Sequence, residues 1–172
     1  GYTAPTTPEL LAQTKHNQVE LYWDDAAEGS KDVITGYSDF EGYNIYQLPS
    51  AGSPLSEGEK IATYDLINVI QTIFDPGVDA QSGFIIDQAK QSGTNSGIYR
   101  YYQTDYDELR NRDMSNGITY HYAITAYRYL ADNEGSPFKT LESSPTIVSV
   151  SPHPANPGFA WNEDGTAGSS FE

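Results

Sequence analysis

Apolar and polar residues alternate in several short runs of this chain, and each run predicts a half-buried strand. In NQVELYWDD, Val19, Leu21 and Trp23 share one face, and Glu20 and Tyr22 the other. In FEGYNIYQL, Tyr43 and Ile45 fall with Gln47, opposite Asn44 and Tyr46. KIATYD and NVIQTIFDPG read as two more strands, the second stopped by Asp75-Pro76-Gly77, a strong turn signal. GFIIDQ and GIYRYYQTDY predict a pair around the loop QSGTNSG, and DYDELRNRDMSNG predicts one helical turn before Asn116-Gly117. SSPTIVSVSP closes the regular part, with Thr146, Val148 and Val150 on one side. Short strands separated by turns, with no repeat and no long amphipathic helix, predict an all-β antiparallel sandwich.

The run NGITYHYAITAYRY holds four tyrosines and a change of phase. Ile118, Tyr120, Tyr122, Ile124 and Ala126 share a face, against Thr119, His121, Thr125 and Tyr127. This puts Tyr120 and Tyr122 inward and Tyr127 and Tyr129 outward. A buried tyrosine needs a hydroxyl partner. At the start of a late sandwich strand that partner is backbone of the preceding corner, here near residues 113–117.

An ordered set of four motifs resembles the fibronectin type III domain. Trp23 ends the second strand in VELYW, and Tyr43 and Ile45 form the pair in GYNIY. Tyr120, Tyr122, Ile124 and Ala126 stand in YHYAITA, and SSPTIVSVSP supplies the last strand. The resemblance implies an immunoglobulin-like β-sandwich over residues 9–152, with Trp23, Tyr43, Tyr120 and Tyr122 as structural core residues. Such a sandwich needs about 100 residues. The excess falls at residues 66–116, read as an inserted hairpin or lobe between strands C′ and F of that scheme. Residues 1–8 read as a linker and 153–172 as a linker or docking tail anchored by Phe159, Trp161 and Phe171. The junction ESSPTIVSVSPHPANPG is similar to those of modules that precede the sorting domains of bacterial surface proteins exported by the type IX route. The implied setting is extracellular or at the cell surface, beside neighbouring domains of a longer chain.

The chain has 172 residues, one domain's worth, with 24 Asp and Glu against 9 Lys and Arg, a net charge of −15. That field and the lack of a basic patch argue against nucleic acid and anionic membrane surfaces as partners. No apolar run approaches the roughly 18–20 residues needed to insert into a bilayer. With no cysteine, disulfides, thiolate-bound zinc and thiol catalysis are excluded.

Motifs for catalysis are missing: no Gly-x-Ser-x-Gly, no phosphate-cradling glycine loop, no His-Glu-x-x-His. His16, His121 and His153 are scattered. The reading is a non-enzyme without an organic cofactor. Calcium is the one candidate ion, held by Asp24, Asp25 and Asp32 of the loop after the second strand with Asp132 and Glu134 of the loop after the sixth. The alternative is a solvated acidic rim. Tyr101, Tyr102 and Tyr106 form a candidate aromatic platform for a glycan or protein ligand, or else pack the inserted segment. The function expected is a non-catalytic module for adhesion, spacing or assembly, including self-assembly through the tail. The alternative is a carbohydrate-binding or accessory module of a secreted hydrolase.

Overall fold

The computed structural model describes residues 2–130 and 137–154. In chain order its strands are β1 (Leu10–Lys15), β2 (Gln18–Trp23), β3 (Phe40–Leu48), β4 (Glu59–Asp65), β5 (Thr72–Val78), β6 (Ile85–Ser92), β7 (Tyr101–Thr104), β8 (Tyr106–Asp107), β9 (Arg112–Asp113), β10 (Tyr120–Arg128) and β11 (Thr146–Val150). All strand pairs are antiparallel. One sheet has the order β1-β2-β7, a second the order β11-β10-β3-β4, and β5-β6 and β8-β9 are separate two-stranded ribbons.

The two larger sheets bury one apolar core. Val19, Leu21 and Trp23 reach it from β2, Tyr43 and Ile45 from β3, and Tyr120, Tyr122, Ile124 and Ala126 from β10. The faces read from alternation are the faces that pack. Trp23 lies 5.8 Å from the Tyr43 ring and 6.2 Å from the Tyr64 ring, centroid to centroid. Tyr120 is buried, and its hydroxyl accepts the Ser115 N–H at 2.9 Å. Gly117, at φ 82°, turns the chain just before β10, and its N–H donates to the Pro152 carbonyl.

Four sequence expectations need correction. Tyr127, expected outward on the surface, is only 1% exposed. Its ring lies across Gly42, where a Cβ would come within 2.9 Å of it and 2.7 Å of the Tyr64 carbonyl oxygen. Asp75-Pro76-Gly77 is not a turn; β5 runs through it, paired with Gln88, Asp87 and Ile86. Tertiary contact overrides the local signal, because the Asp75 carboxylate accepts the backbone amides of Lys139 and Thr140, each at 2.9 Å. The expected helical turn is instead the β8–β9 hairpin, closed by Asp107, which accepts the Leu109 and Arg110 amides. Finally, residues 66–116 are not wholly an addition. They supply β7, which pairs with β2 as an edge of the first sheet, along with the β5–β6 ribbon.

Tyr120→Phe is expected to cost about 1 kcal/mol in urea unfolding, the net worth of one hydrogen bond, because Ser115 is itself exposed and water can reach it. An unchanged midpoint would mean that the hydroxyl does not hold this corner.

Candidate functional site

Among the described residues, the acidic loop after β2 does not gather its carboxylates into a cage. Asp32 is 4% exposed and its oxygens are fully engaged. Oδ1 accepts the amides of Ile34 and Thr35, at 2.7 and 3.1 Å. Oδ2 accepts the Thr3 amide and the buried Arg128 guanidinium, each at 2.8 Å. A carboxylate has about four lone-pair sites, so none is left for an ion. Burial alone would push the Asp32 carboxyl up, but the amides of Thr3, Thr35 and Ile34 and the Arg128 charge hold it below its ordinary value. Asp24 and Asp25 are exposed, and Asp24 Oδ1 accepts the Glu9 and Ala26 amides. Asp132 and Glu134 lie outside the described residues, as do Phe159, Trp161 and Phe171. Among the described residues no group of three or more His, Asp or Glu side chains is placed to hold a metal ion.

The three candidate tyrosines do not share a surface. Tyr101 and Tyr102 are neighbours on β7 and therefore point to opposite faces. Tyr102 packs on the core, Tyr101 faces solvent, and Tyr106 belongs to the β8–β9 ribbon. The aromatic pair that the fold does assemble is Tyr101 with Tyr22, directly opposite in register with ring centroids 5.0 Å apart. Around it the Tyr22 hydroxyl donates to Glu20, the Tyr101 hydroxyl donates to Gln103, and Lys15 pairs with Glu20 at 2.7 Å. Leu11, opposite Tyr22 on β1, completes the exposed face. Tyr22 is visible in the sequence as an outward residue of β2. Its partner is not, because the β2–β7 pairing joins distant segments.

A third arrangement escaped sequence reasoning altogether. The outer face of the four-stranded sheet is covered by a buried polar layer. Asn44 Nδ2 donates to Gln91 Oε1 at 2.9 Å and Glu142 Oε1 at 3.1 Å, and its Oδ1 accepts the Thr63 hydroxyl at 2.8 Å. Glu142 also accepts Gln91 Nε2 and the hydroxyls of Tyr46 and Thr125. Four neutral donors thus hold one carboxylate, which leaves it no free lone pair to act as a general base. Beside this layer a cleft of about 430 Å³ opens between the ribbon and residues 138–142, lined by Asp75, Pro76, Lys90, Phe138 and Glu142 among others. Glu41 is 2% exposed and accepts Asn68 Nδ2. Burial pushes its carboxyl up to about 7; the Asn68 bond opposes the shift and the Asp65 charge adds to it.

No family model, no curated protein and no solved structure matched this chain.

Two predictions follow from these buried carboxyls. Asp32→Asn removes the nearer counter-charge of Arg128 and is expected to cost about 3–5 kcal/mol, the range for breaking a buried ion pair. The lower end is expected, since Asp39 stays 3.5 Å from the guanidinium. Denaturant unfolding measures this, and a loss below about 1 kcal/mol would mean that the pair is not a structural clamp. Glu41 has a folded value near 7 against an ordinary value of 4.5. Between these values the folded state binds the proton more tightly, so its contribution is present in acid and is lost as pH rises through about 7. From about pH 5 to about pH 8 the melting temperature of Glu41→Gln should therefore fall less than that of the parent. Parallel curves would refute the assignment.

Proposed function

We propose that this chain is a non-catalytic, fibronectin type III-like module of an extracellular or surface-attached bacterial protein, serving adhesion, spacing or assembly. The observation that carries the reading is the corner at Tyr120. A tyrosine at the start of β10 sends its hydroxyl back to the Ser115 amide, in a strand that lies between β11 and β3. This is the arrangement expected of the corner tyrosine in an immunoglobulin-like sandwich, and it supports the reading. The fit extends to Trp23 on β2, packed in the shared core, and to the three-stranded and four-stranded sheets.

The chemistry of the buried acids agrees with a scaffold. Asp32, Asp65, Asp75 and Asp107 all accept backbone amides of loops. These are positions that hold a fold in shape, and binding then falls to the surfaces and loops that the scaffold presents.

One observation favours a second reading, a carbohydrate-binding accessory module. The Tyr22–Tyr101 pair lies on a sheet face beside the exposed Gln103 and Lys15, combining aromatic area with hydrogen-bonding groups. A glycan array separates the two. The adhesion and assembly reading expects no glycan to be retained, and the same result for Tyr101→Ala. A glycan held by the parent chain and released by Tyr22→Ala and Tyr101→Ala would replace it with the carbohydrate reading.

A further inference from the structure

The β5–β6 ribbon is amphipathic the wrong way round for a surface hairpin. Directly opposed residues of an antiparallel pair share a face. Ile73, Asp75 and Gln91 are buried, on the side turned to the body of the molecule. The other side carries Phe74, Pro76, Val78, Ile85 and Ala89, all exposed, with Asp87 as its single charge. Phe74 is 51%, Val78 66% and Ile85 74% exposed. A contiguous apolar face that stays in water marks an interaction site.

The ribbon's two edges also differ. The Asp79 N–H donates to the Phe84 carbonyl at the tip, and alternation from there turns the backbone groups of Val78, Pro76, Ile85 and Asp87 away from the ladder. On β5 this edge is blunted, because Pro76 has no N–H and Gln88 Nε2 caps the Val78 carbonyl at 3.2 Å. On β6 the groups of Ile85 and Asp87 lie along an edge that no strand among the described residues pairs with. One edge is closed to strand addition and the other is open.

We propose that the open edge of β6 and the apolar outer face of the ribbon dock an extended, apolar segment of another polypeptide that carries basic residues, added as a third strand. The partner chemistry follows from charge. The docking face holds Asp87, the tip holds Asp79, and the whole chain carries a net −15. A lysine or arginine opposite Asp87 completes the face, and the acidic field steers such a segment in. A second copy of this chain fits badly. Antiparallel pairing of β6 with itself in the register centred on Asp87 would oppose two Asp87 carboxylates on one face, and any register joins two strongly acidic molecules. The inference deepens the assembly reading above and rests on it for its setting.

The test uses the full chain and a synthetic peptide alternating valine and lysine, labelled for fluorescence anisotropy. The parent should bind it, and the same peptide with serine in place of valine should bind much more weakly. Val78→Glu with Ile85→Glu makes the protein more acidic while removing two apolar contacts. Loss of these contacts should weaken binding by roughly tenfold or more, although simple charge attraction would strengthen it. Binding by the variant that is equal to or tighter than that of the parent overturns the proposal. Hydrogen exchange on the unmutated chain is an independent reading: bound peptide should protect the Ile85 and Asp87 amides, and protection elsewhere or none overturns it. A dimer of the unliganded chain in sedimentation, abolished by the same double variant, would also overturn it, because the occupant would then be a second copy. None of these outcomes bears on the module reading, which the glycan array decides.

Discussion

Strand β3 is buried at all nine of its positions, yet it carries Glu41, Asn44 and Gln47. Much of the remaining structure depends on that conflict. A strand covered on both faces must find a partner for each polar group, since an unpaired one costs several kcal/mol in an apolar surround. Its own sheet supplies few of them. Asn68 serves Glu41; Gln91 and Glu142 serve Asn44; Asp107 and the Glu108 amide serve Gln47. The segment between β4 and β10 and the segment before β11 are therefore structural parts of the sandwich. They are the hydrogen-bonding lining of its central strand.

The same logic accounts for part of the acidity. A carboxylate can accept two or more backbone amides at once, and such charge-assisted bonds are the stronger kind. Asp65 takes the amides of Thr94 and Asn95, Asp75 those of Lys139 and Thr140, Asp107 those of Leu109 and Arg110. Asp65 and Asp75 thereby fix distant segments whose chain entropy would otherwise oppose order, and Asp107 fixes the tight β8–β9 turn. The cost is repulsion among buried acids, visible where the charge of Asp65 helps to push up the Glu41 carboxyl. Asp32 meets a counter-charge in the buried guanidinium of Arg128, and Asp107 one in the more exposed guanidinium of Arg110.

With its polar side turned inward to that lining, the β5–β6 ribbon has its apolar side left over. Gln91 and Asp75 are needed against the sheet and the 139–140 backbone, and strand alternation then puts Phe74, Val78 and Ile85 into solvent. Stability of the sandwich and exposure of a sticky ribbon are thus two results of one register. The assembly role proposed above would make use of this exposed face, and the tyrosine pair on the opposite sheet offers a separate, more polar surface.

Alternation within a strand is a local property, so β2, β3, β4, β10 and β11 were legible in the sequence, with the inward faces of Trp23, Tyr43, Tyr120 and Tyr122. So was the Tyr120 corner, whose donor Ser115 lies only five residues away. What could not be read depends on which distant segments meet. Tyr127 looked like a surface residue because its cover arrives from elsewhere and its seat is a glycine on another strand. Asp75-Pro76-Gly77 carries turn residues, but two amides far along the chain hold Asp75 in a strand. Asp32 had the composition of a metal ligand until Arg128 occupied it, and Tyr101 found its ring partner only through the β2–β7 register. The sequence by itself determined which residues share a face of a strand, because that is set by period. Tertiary structure alone decided what each buried polar group and each aromatic ring meets, because that is set by register and chain crossing.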